Sequence, residues 1–198
     1  SPFNFTRLPE IFFGEGKLSL LPGLIGKFGK KIILVTGKRS FMESDSAGIL
    51  LDSFSRNGIS IGKVEIQGEP SPDDIDSAVK LAPGDDFNAV VAIGGGSVMD
   101  AGKAISAMYG FSESVSEFLE GVGTRLHPGS KLPFIAVPTT SGTGSEATSN
   151  AVLSKVGRDG FKKSLCHPAF VPDIALVDPA LTIGCSAEIT AASGMDCF

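Results

Sequence analysis

The sequence is poor in cysteine. Cys166, Cys185 and Cys197 make an odd number, and none of them belongs to a C-x-x-C pair. This excludes a disulfide framework and is typical of a protein from a reducing compartment, so we predict a cytoplasmic location. We expect the three thiols to be small core side chains, which is a common role of a free cysteine.

The chain also lacks long apolar runs and an excess of positive charge. No stretch approaches the roughly 18 apolar residues that a membrane helix requires, and no charged-then-apolar signal sequence begins the chain. The 17 lysines and arginines are outnumbered by 22 acidic residues, which gives a net charge of −5. We therefore expect no nucleic-acid or membrane partner, and an anionic ligand would have to be held by local geometry.

What the sequence does contain is a series of short apolar runs that end at turn residues. Residues 31–36, 89–93 and 134–137 are rich in apolar and β-branched side chains, and glycine or proline follows each run. Such strands are buried on both faces, as in a parallel sheet that is covered by helices. Residues 59–66 and 174–177 predict further strands.

Helical patterns lie between these strands. Residues 43–57 and 97–109 carry apolar side chains at helical spacing, and Ser71 followed by Pro72 is a typical helix start. The alternation of strands and helices predicts βαβ units. The expected fold class is therefore α/β, with a Rossmann-like parallel sheet and helices on both faces.

The pattern changes after residue 150. Residues 151–154 and 161–166 flank a glycine-containing turn and predict a β-hairpin. A last helix is predicted to begin at Ser186 and to run to the end of the chain. The hairpin and this helix would add to the α/β core.

The clearest candidate site is the glycine loop, formed by Gly94, Gly95, Gly96 and Ser97, which follows one predicted strand and opens a helix. Glycines let the backbone approach a pyrophosphate, and the amides and dipole of a helix N-terminus favour its negative charge. We expect Ser97 to cap the helix and to donate to a phosphate oxygen. The loop matches neither a Walker A motif nor G-x-G-x-x-G. The alternative is a strand-helix turn that glycine merely makes tight.

A second loop of small residues, residues 138–146, also follows a predicted strand and is called the hydroxyl loop below. Thr139, Thr140, Thr143 and Ser145 provide hydroxyl groups suited to ribose and phosphate. The alternative is a loop that uses these hydroxyls for its own turns and for a helix cap. Because two such loops on one parallel sheet would both open at its carboxyl edge, their combination favours a ligand site.

Five segments spread along the chain occur together in one known family. They are Phe13-Gly14 with Gly16, residues 94–100, residues 138–146, residues 172–182 and Gly194-Met195-Asp196. In this order they resemble the iron-containing (group III) alcohol dehydrogenase family, which has a dehydroquinate synthase-like fold. The resemblance covers nearly the whole chain and implies its N-terminal part.

The resemblance implies hydride transfer between an alcohol or aldehyde and a nicotinamide dinucleotide, with Fe²⁺ or Zn²⁺ as a Lewis acid on the substrate oxygen. We expect residues 1–184 to form the dinucleotide-binding domain. Residues 185–198 would be the first helix of a truncated, all-helical metal-binding domain. The family also implies a homodimer or a larger oligomer.

Asp196 matches the first metal ligand of the family, whereas His127 and His167 match none and are expected to be solvated or capping side chains. One carboxylate cannot hold such a metal, because several nitrogen or oxygen ligands are needed. We therefore expect the chain to be a cofactor-binding fragment without alcohol dehydrogenase activity of its own.

The choice of cofactor is predicted from the end of the strand at residues 31–36. Where the family usually has Asp for the adenosine ribose, this chain has Gly37, followed by Lys38, Arg39 and Ser40. Glycine removes the repulsion of a 2′-phosphate, and the next three side chains can donate to it. We predict NADP, with NAD as the possible alternative. The basic pair would otherwise be an ordinary solvated helix start.

Three further positions are carried over from the family. Lys162 matches a lysine near the cofactor, with Lys163 as the alternative register, and either could be a solvated hairpin lysine. Asp100 could contact the cofactor or be a first-turn helix acid. Pro70 lies in a segment that resembles the family loop on the adenosine side. The full set of predicted cofactor-binding residues is Gly37, Lys38, Arg39, Ser40, Pro70, Gly94, Gly95, Gly96, Ser97, Asp100, Thr139, Thr140, Thr143, Ser145 and Lys162.

Two other functions remain open at this point. A glycerol dehydrogenase or a dehydroquinate synthase-like enzyme would share the glycine loop and a metal, although residues 138–146 favour the alcohol dehydrogenase branch. A non-catalytic nucleotide-binding module would need the loops alone.

Overall fold

The computed structural model describes residues 7–80, 86–158 and 160–196, and these residues form one parallel sheet, one antiparallel hairpin and the helices around them. The strands are β1 (Glu10–Phe13), β2 (Lys31–Gly37), β3 (Ser60–Ile66), β4 (Ala89–Gly94), β5 (Phe134–Pro138), β6 (Asn150–Lys155), β7 (Phe161–Cys166) and β8 (Ile174–Val177). The helices are α1 (Leu21–Ile25), α2 (Asp45–Arg56), α3 (Pro72–Lys80), α4 (Gly96–Met108) and α5 (Ala187–Asp196). Short 3₁₀ turns include Val115–Phe118, Ser145–Ala147 and Pro179–Thr182.

The parallel sheet has the strand order β1-β8-β5-β4-β2-β3 and is covered on both faces. Alternate residues of β4 show this: Val90 and Ala92 pack with α3, α4 and the hairpin, whereas Val91 and Ile93 pack with α1 and α2. All six residues of β4 are buried. The continuously apolar runs therefore belong to central strands, and the predicted α/β fold with a Rossmann-like sheet is confirmed.

The chain reverses its direction across the sheet between β2 and β4. β2 leads through α2 to β3 on one side, whereas β4 leads through α4 to β5 on the other. The connections that leave the carboxyl ends of these two neighbours diverge and open a crevice there. In open α/β sheets, such a switch point is where ligands bind.

The predicted helix starts are confirmed with one exception. Ser71 Oγ accepts from the amide of Asp74 at 3.2 Å, just ahead of α3, and Ser186 Oγ accepts from the amide of Ile189 at 3.2 Å. Ser97 is not the cap of α4, which begins at Gly96 with Gly95 at the N-cap and no side-chain hydrogen bond. The N-cap therefore lies two residues earlier than expected, and Ser97 is already inside the first turn of the helix.

The predicted hairpin is confirmed as β6 and β7, paired antiparallel with Leu153 opposite Lys163. Asp159 lies outside the described residues. β1 and α1 were not expected from the sequence. β1 is parallel to β8 at the sheet edge, and the carboxylate of Asp178, at the end of β8, accepts from the amides of Gly16 at 3.2 Å and Leu18 at 2.9 Å.

The cysteines differ from the expectation. Cys166 is exposed and Cys185 is partly exposed, so neither is a core side chain, and Cys197 lies outside the described residues. Both described thiols are free. Across the described ranges, none of the helices combines the length and the apolar character needed to cross a membrane.

Candidate functional site

The glycine loop lies at the switch point, where β4 runs directly into α4. The amide of Val98 bonds back to the carbonyl of Gly95 at 3.0 Å, so the amides of Gly96 and Ser97 precede the first bond of the helix. Amides in this position have no partner within the helix and point out of its N-terminus. The loop therefore presents backbone donors to the crevice, as an anion site requires.

Each glycine of the loop lies where a close approach leaves little room for a Cβ atom. A Cβ at Gly94 would lie 2.7 Å from the side chain of Val98, so this residue lets α4 pack onto its own strand. A Cβ at Gly95 would lie 3.2 Å from Thr140 Oγ1, and one at Gly96 would lie 3.1 Å from Thr143 Cγ2. The last two glycines thus let the glycine loop and the hydroxyl loop touch.

The hydroxyl loop follows β5 and is held against the glycine loop. The amide of Thr139 donates to the carbonyl of Gly94 at 2.9 Å. Gly142 has φ 101° and a Cβ there would lie 2.9 Å from Asp196 Cβ, so the loop also lies against the end of α5. The structure therefore brings both predicted loops, and the predicted metal ligand, to the same edge of the sheet.

Two cavities flank the glycine loop, one on each side. The Ser40 cavity has a volume of about 500 Å³, and its lining includes Ser40, Gly95, Thr139, Thr140 and Cys185. The Asp100 cavity has a volume of about 430 Å³, and its lining includes Gly96, Ser97, Asp100, Thr143, Ser145 and Lys162. Since Gly95 lines one and Gly96 the other, the loop is the bridge between them.

Of the predicted residues at the strand ends, Ser40 lines the first of these cavities and Pro70 lines the second. Gly37 is the last residue of β2, and Ser40 lines the first cavity, but Lys38 and Arg39 are exposed and do not line it. They also precede α2 by several residues, so they are not a helix start. Pro70 lines the Asp100 cavity instead, so Ser40 and Pro70 line different cavities.

Asp100 connects the two loops. Its Oδ1 accepts a hydrogen bond from Ser145 Oγ at 2.7 Å, although it lies one turn into α4 and is not a first-turn acid. Burial raises the pKa of the Asp100 carboxyl, and the hydrogen bond from Ser145 and the charge of Lys103 oppose that rise. The second cavity is therefore lined by a carboxylate that is costly to keep ionised.

Lys162, rather than Lys163, lies at the Asp100 cavity. Its ammonium pairs with Glu69 at the rim, and Ser154 Oγ donates to the same carboxylate. These hydrogen bonds lower the pKa of Glu69. Lys163 points the other way, because a Cβ placed at Gly121 would lie 3.2 Å from Lys163 Nζ. Of the two lysines that the sequence left as alternatives, Lys162 is therefore the one that lines this cavity.

Lys103 is a residue of this region that the sequence analysis did not select. It is 1% exposed and its Nζ bonds to the segment that follows the hydroxyl loop, with Asn150 O at 2.7 Å as one acceptor. The available signal was a lysine in a helix whose other inward positions, such as Ala101 and Ile105, are apolar. Its acceptors are more than forty residues away in sequence and could not be foreseen.

The two histidines act as caps and not as ligands. His167 Nδ1 accepts from the amide of Ala169 at 3.1 Å. His127 Nδ1 accepts from the amide of Gly129 at 3.0 Å, and its Nε2 donates to the carbonyl of Ala107 at 3.1 Å. His127 is 7% exposed, so the expectation of a solvated side chain is wrong for it, whereas capping is confirmed for both.

The described residues do not fit a complete metal site. Nowhere in residues 7–80, 86–158 and 160–196 do three or more histidine, cysteine or acidic side chains cluster closely enough to hold a metal ion. Asp196, at the end of α5, is exposed and lies beside Gly142. A single carboxylate of this kind could be one ligand of a larger set, and it does not make a site alone.

Comparison with known proteins agrees with this architecture. A family model of iron-containing alcohol dehydrogenases matches residues 9–179. The probable alcohol dehydrogenase EutG of Escherichia coli (strain K12) is 39% identical over 194 residues, which cover 98% of this chain and 48% of that protein. The NADPH-dependent butanol dehydrogenase of Clostridium saccharobutylicum is 30% identical over 194 residues, 98% of this chain and 49% of that one.

A solved structure shows the same fold. NADH-dependent butanol dehydrogenase A of Thermotoga maritima superimposes with a TM-score of 0.88 at 26% identity, covering 98% of this chain and 48% of that chain. The chain spans about half the length of the curated relatives it matches. It therefore belongs to the iron-containing alcohol dehydrogenase family of oxidoreductases and corresponds to an N-terminal part of its members.

Proposed function

We propose that this chain binds a nicotinamide dinucleotide across the glycine loop, as the cofactor-binding part of an oxidoreductase that acts on an alcohol or aldehyde. The pyrophosphate would lie on the amides of Gly96 and Ser97. The adenosine would occupy the Ser40 cavity and the nicotinamide the Asp100 cavity. One observation carries this proposal: the glycine loop lies at the switch point, and it contributes Gly95 to the lining of one cavity and Gly96 to the lining of the other.

The chemistry of the loop suits a pyrophosphate in an acidic protein. The net charge of −5 gives no general attraction for an anion, so the binding energy must come from aimed donors. The first-turn amides of α4 and its dipole supply these donors. Thr139 and Thr140 add hydroxyl groups beside Gly95, where they suit ribose and phosphate oxygens.

The cofactor preference that we propose is NADP over NAD. Gly37 ends β2, which lies next to β4, the strand that leads into the glycine loop. An acidic side chain at this position would accept from the ribose 2′-hydroxyl. A Cβ at Gly37 would have only Val98 Cγ2 nearby, at 3.8 Å, so the space beside it is open. Lys38 and Arg39 are exposed just beyond, and their side chains can reach out to pair with a 2′-phosphate. The NADPH-dependent and NADH-dependent relatives differ on this point, so the support comes from these residues.

Alcohol oxidation would need more than the described residues contain. A bound nicotinamide would supply the hydride acceptor at its C4 atom, and the family name implies iron, with zinc as the alternative. Asp196 is the residue of this chain that we propose as one metal ligand. We propose residues 1–184 as the dinucleotide-binding domain and residues 185–198 as the start of a helical domain, which agrees with the absence of buried residues in the described helix α5.

The matched test uses two glycine substitutions. Gly95→Ala places a methyl group 3.2 Å from Thr140 Oγ1, between the loops and in the path of the pyrophosphate, whereas Gly23→Ala in α1 meets nothing within 4 Å. Calorimetric titration with NADPH and NADH should show binding to the wild-type chain and to Gly23→Ala, and a large loss for Gly95→Ala. Equal affinities of the two variants would place the pyrophosphate elsewhere.

A second candidate function is a nucleotide-binding module without catalysis. The observation that favours it is the lack of a metal cluster in the described part of the chain. Assay of a chain extended by the rest of a family member's length, with added Fe²⁺ or Zn²⁺, separates the two: alcohol-dependent NADP⁺ reduction supports the enzyme. A homodimer, a cytoplasmic location and an inactive isolated chain remain predictions.

A further inference from the structure

Lys103 is the most deeply buried charged side chain near the two cavities. It lies on α4, two turns after the glycine loop, and it is 1% exposed. Its neighbours Gly102 and Ala104 are buried too. Burying an ammonium in the interior is costly unless it is hydrogen-bonded. The hydrogen-bond partners of Lys103 therefore indicate its role.

Every partner of the ammonium lies in one segment. Nζ donates to the carbonyl of Ser145 at 2.9 Å and to that of Asn150 at 2.7 Å, and Thr148 Oγ1 lies at 3.1 Å and Ser145 Oγ at 3.4 Å. These residues lead from the hydroxyl loop into β6. An ammonium has three protons, so four acceptors surround it and its hydrogen-bonding capacity is fully used.

The helix that carries Lys103 is the helix that begins with the glycine loop. The ammonium therefore fastens the end of the hydroxyl loop to the same rigid element that presents the phosphate-binding amides. Asp100, one turn earlier on α4, makes the second tie through Ser145 Oγ. The wall of the Asp100 cavity that Ser145, Thr148 and Asn150 form depends on these two ties.

We propose that Lys103 is a positioning residue for dinucleotide binding: its charged ammonium holds residues 145–150 against α4 so that the two loops form one site. This inference rests on the proposed function of the loops. It assigns to Lys103 no contact with the cofactor, since its donors are used by the protein.

Burial and the neighbouring negative charges act in opposite directions on the pKa of Lys103. Burial lowers the pKa of Lys103 to about 8, against the opposing charges of Asp100 on α4, Glu146 in the 3₁₀ turn and Cys166 on β7. Lys162, on β7, acts on Asp100 in turn. A neutral amine has two protons for the four acceptors and no charge to strengthen its bonds. The loop should therefore loosen, and the dinucleotide affinity should fall, as the pH rises through this pKa.

The first arm of the test removes the charge. Lys103→Met keeps the length of the side chain, and Ser106→Ala is the matched control, because Ser106 is buried on the same helix and donates to Leu132 O at 2.6 Å. Titration with NADPH should show a loss of roughly tenfold or more for Lys103→Met, as expected for charge-assisted bonds, and little change for Ser106→Ala. Hydrogen exchange should quicken at residues 143–150 in the first variant.

The second arm uses the wild-type chain, so it tests the inference even if Lys103→Met does not fold. The dissociation constants of the wild-type chain for NADPH and NADH are measured from about pH 7 to about pH 10, and both should rise roughly tenfold. Lys103→Arg keeps its charge over this range and should flatten the profile. A flat wild-type profile, or a folded Lys103→Met with unchanged affinity, overturns the inference while the proposed function stands. A wild-type chain that binds neither dinucleotide overturns both.

Discussion

Ser145 Oγ donates to Asp100 Oδ1 across 2.7 Å, and this one bond joins a residue of the hydroxyl loop to the helix of the glycine loop. Ser145 is 6% exposed, and Asp100 lies in the wall of the second cavity. The two loops that the sequence placed after different strands are therefore parts of one hydrogen-bonded structure.

Ser145→Ala should destabilise the folded chain. The substitution leaves the buried carboxylate of Asp100 without its hydroxyl donor and removes one acceptor from Lys103. An unsatisfied buried group costs about 1–3 kcal/mol, and we expect the free energy of unfolding at neutral pH to fall by this amount. Urea denaturation measures it, with exposed Ser112→Ala as the control. Equal unfolding free energies for the two variants would contradict the role given to this bond.

The stability should fall in mild acid because of His127. Burial lowers the pKa of His127, its bond to Ala107 O opposes the shift, and the charge of His167 adds to it. A histidine whose folded pKa lies below the unfolded value stabilises the fold fully above about pH 6.5, and that contribution is lost as the pH falls from there through the lower folded pKa. Protonation would also remove the acceptor of the Gly129 amide.

The measurement for His127 is the unfolding free energy from about pH 8 to about pH 5. His127→Asn retains an acceptor for the amide two residues on but does not titrate, so its profile should be flatter than that of the wild type. His167→Asn makes the same change at the cap of Ala169 and should keep the acid-dependent loss. The same slope in His127→Asn and the wild type would assign the effect to other groups.

The central strands could be predicted because a strand that is buried on both faces has an uninterrupted apolar sequence. All five residues of β5 are buried, and the sequence there is apolar without interruption. β1 could not be predicted in this way. It is a four-residue edge strand with exposed Ile11 and Phe13, and its only partner in the described sheet, β8, lies more than 150 residues along the chain.

The residues of the candidate site could be predicted where they directly follow a strand in the sequence. They could not be predicted where their place depends on contacts with distant segments. The glycine loop and Thr139 were found because they come directly after β4 and β5. Lys103 was missed because its acceptors come from a distant segment, and the sequence did not show that Ser40 and Pro70 line different cavities. Sequence order gives the edge of the sheet but not which side of the loop a residue lines.

Gly37→Asp should exchange the cofactor preference. A carboxylate there would accept from a ribose 2′-hydroxyl and repel a 2′-phosphate, and the open space around the Cβ position can hold it. We expect the ratio of the NADPH and NADH dissociation constants to shift by roughly tenfold or more towards NADH. Lys38→Ala should weaken NADPH alone. A ratio unchanged by Gly37→Asp would show that the end of β2 does not meet the adenosine ribose.

Dinucleotide binding at the glycine loop is tested most directly by an NMR titration of the isotope-labelled 198-residue chain with NADPH. We expect the largest amide shifts at Gly95, Gly96 and Ser97, with further shifts at residues lining the Ser40 and Asp100 cavities. A third cavity, about 410 Å³ and lined in part by Tyr109 and Glu113, lies apart from the predicted residues and should not respond. Shifts confined to that cavity, or none at saturating NADPH and NADH, would contradict dinucleotide binding at the glycine loop.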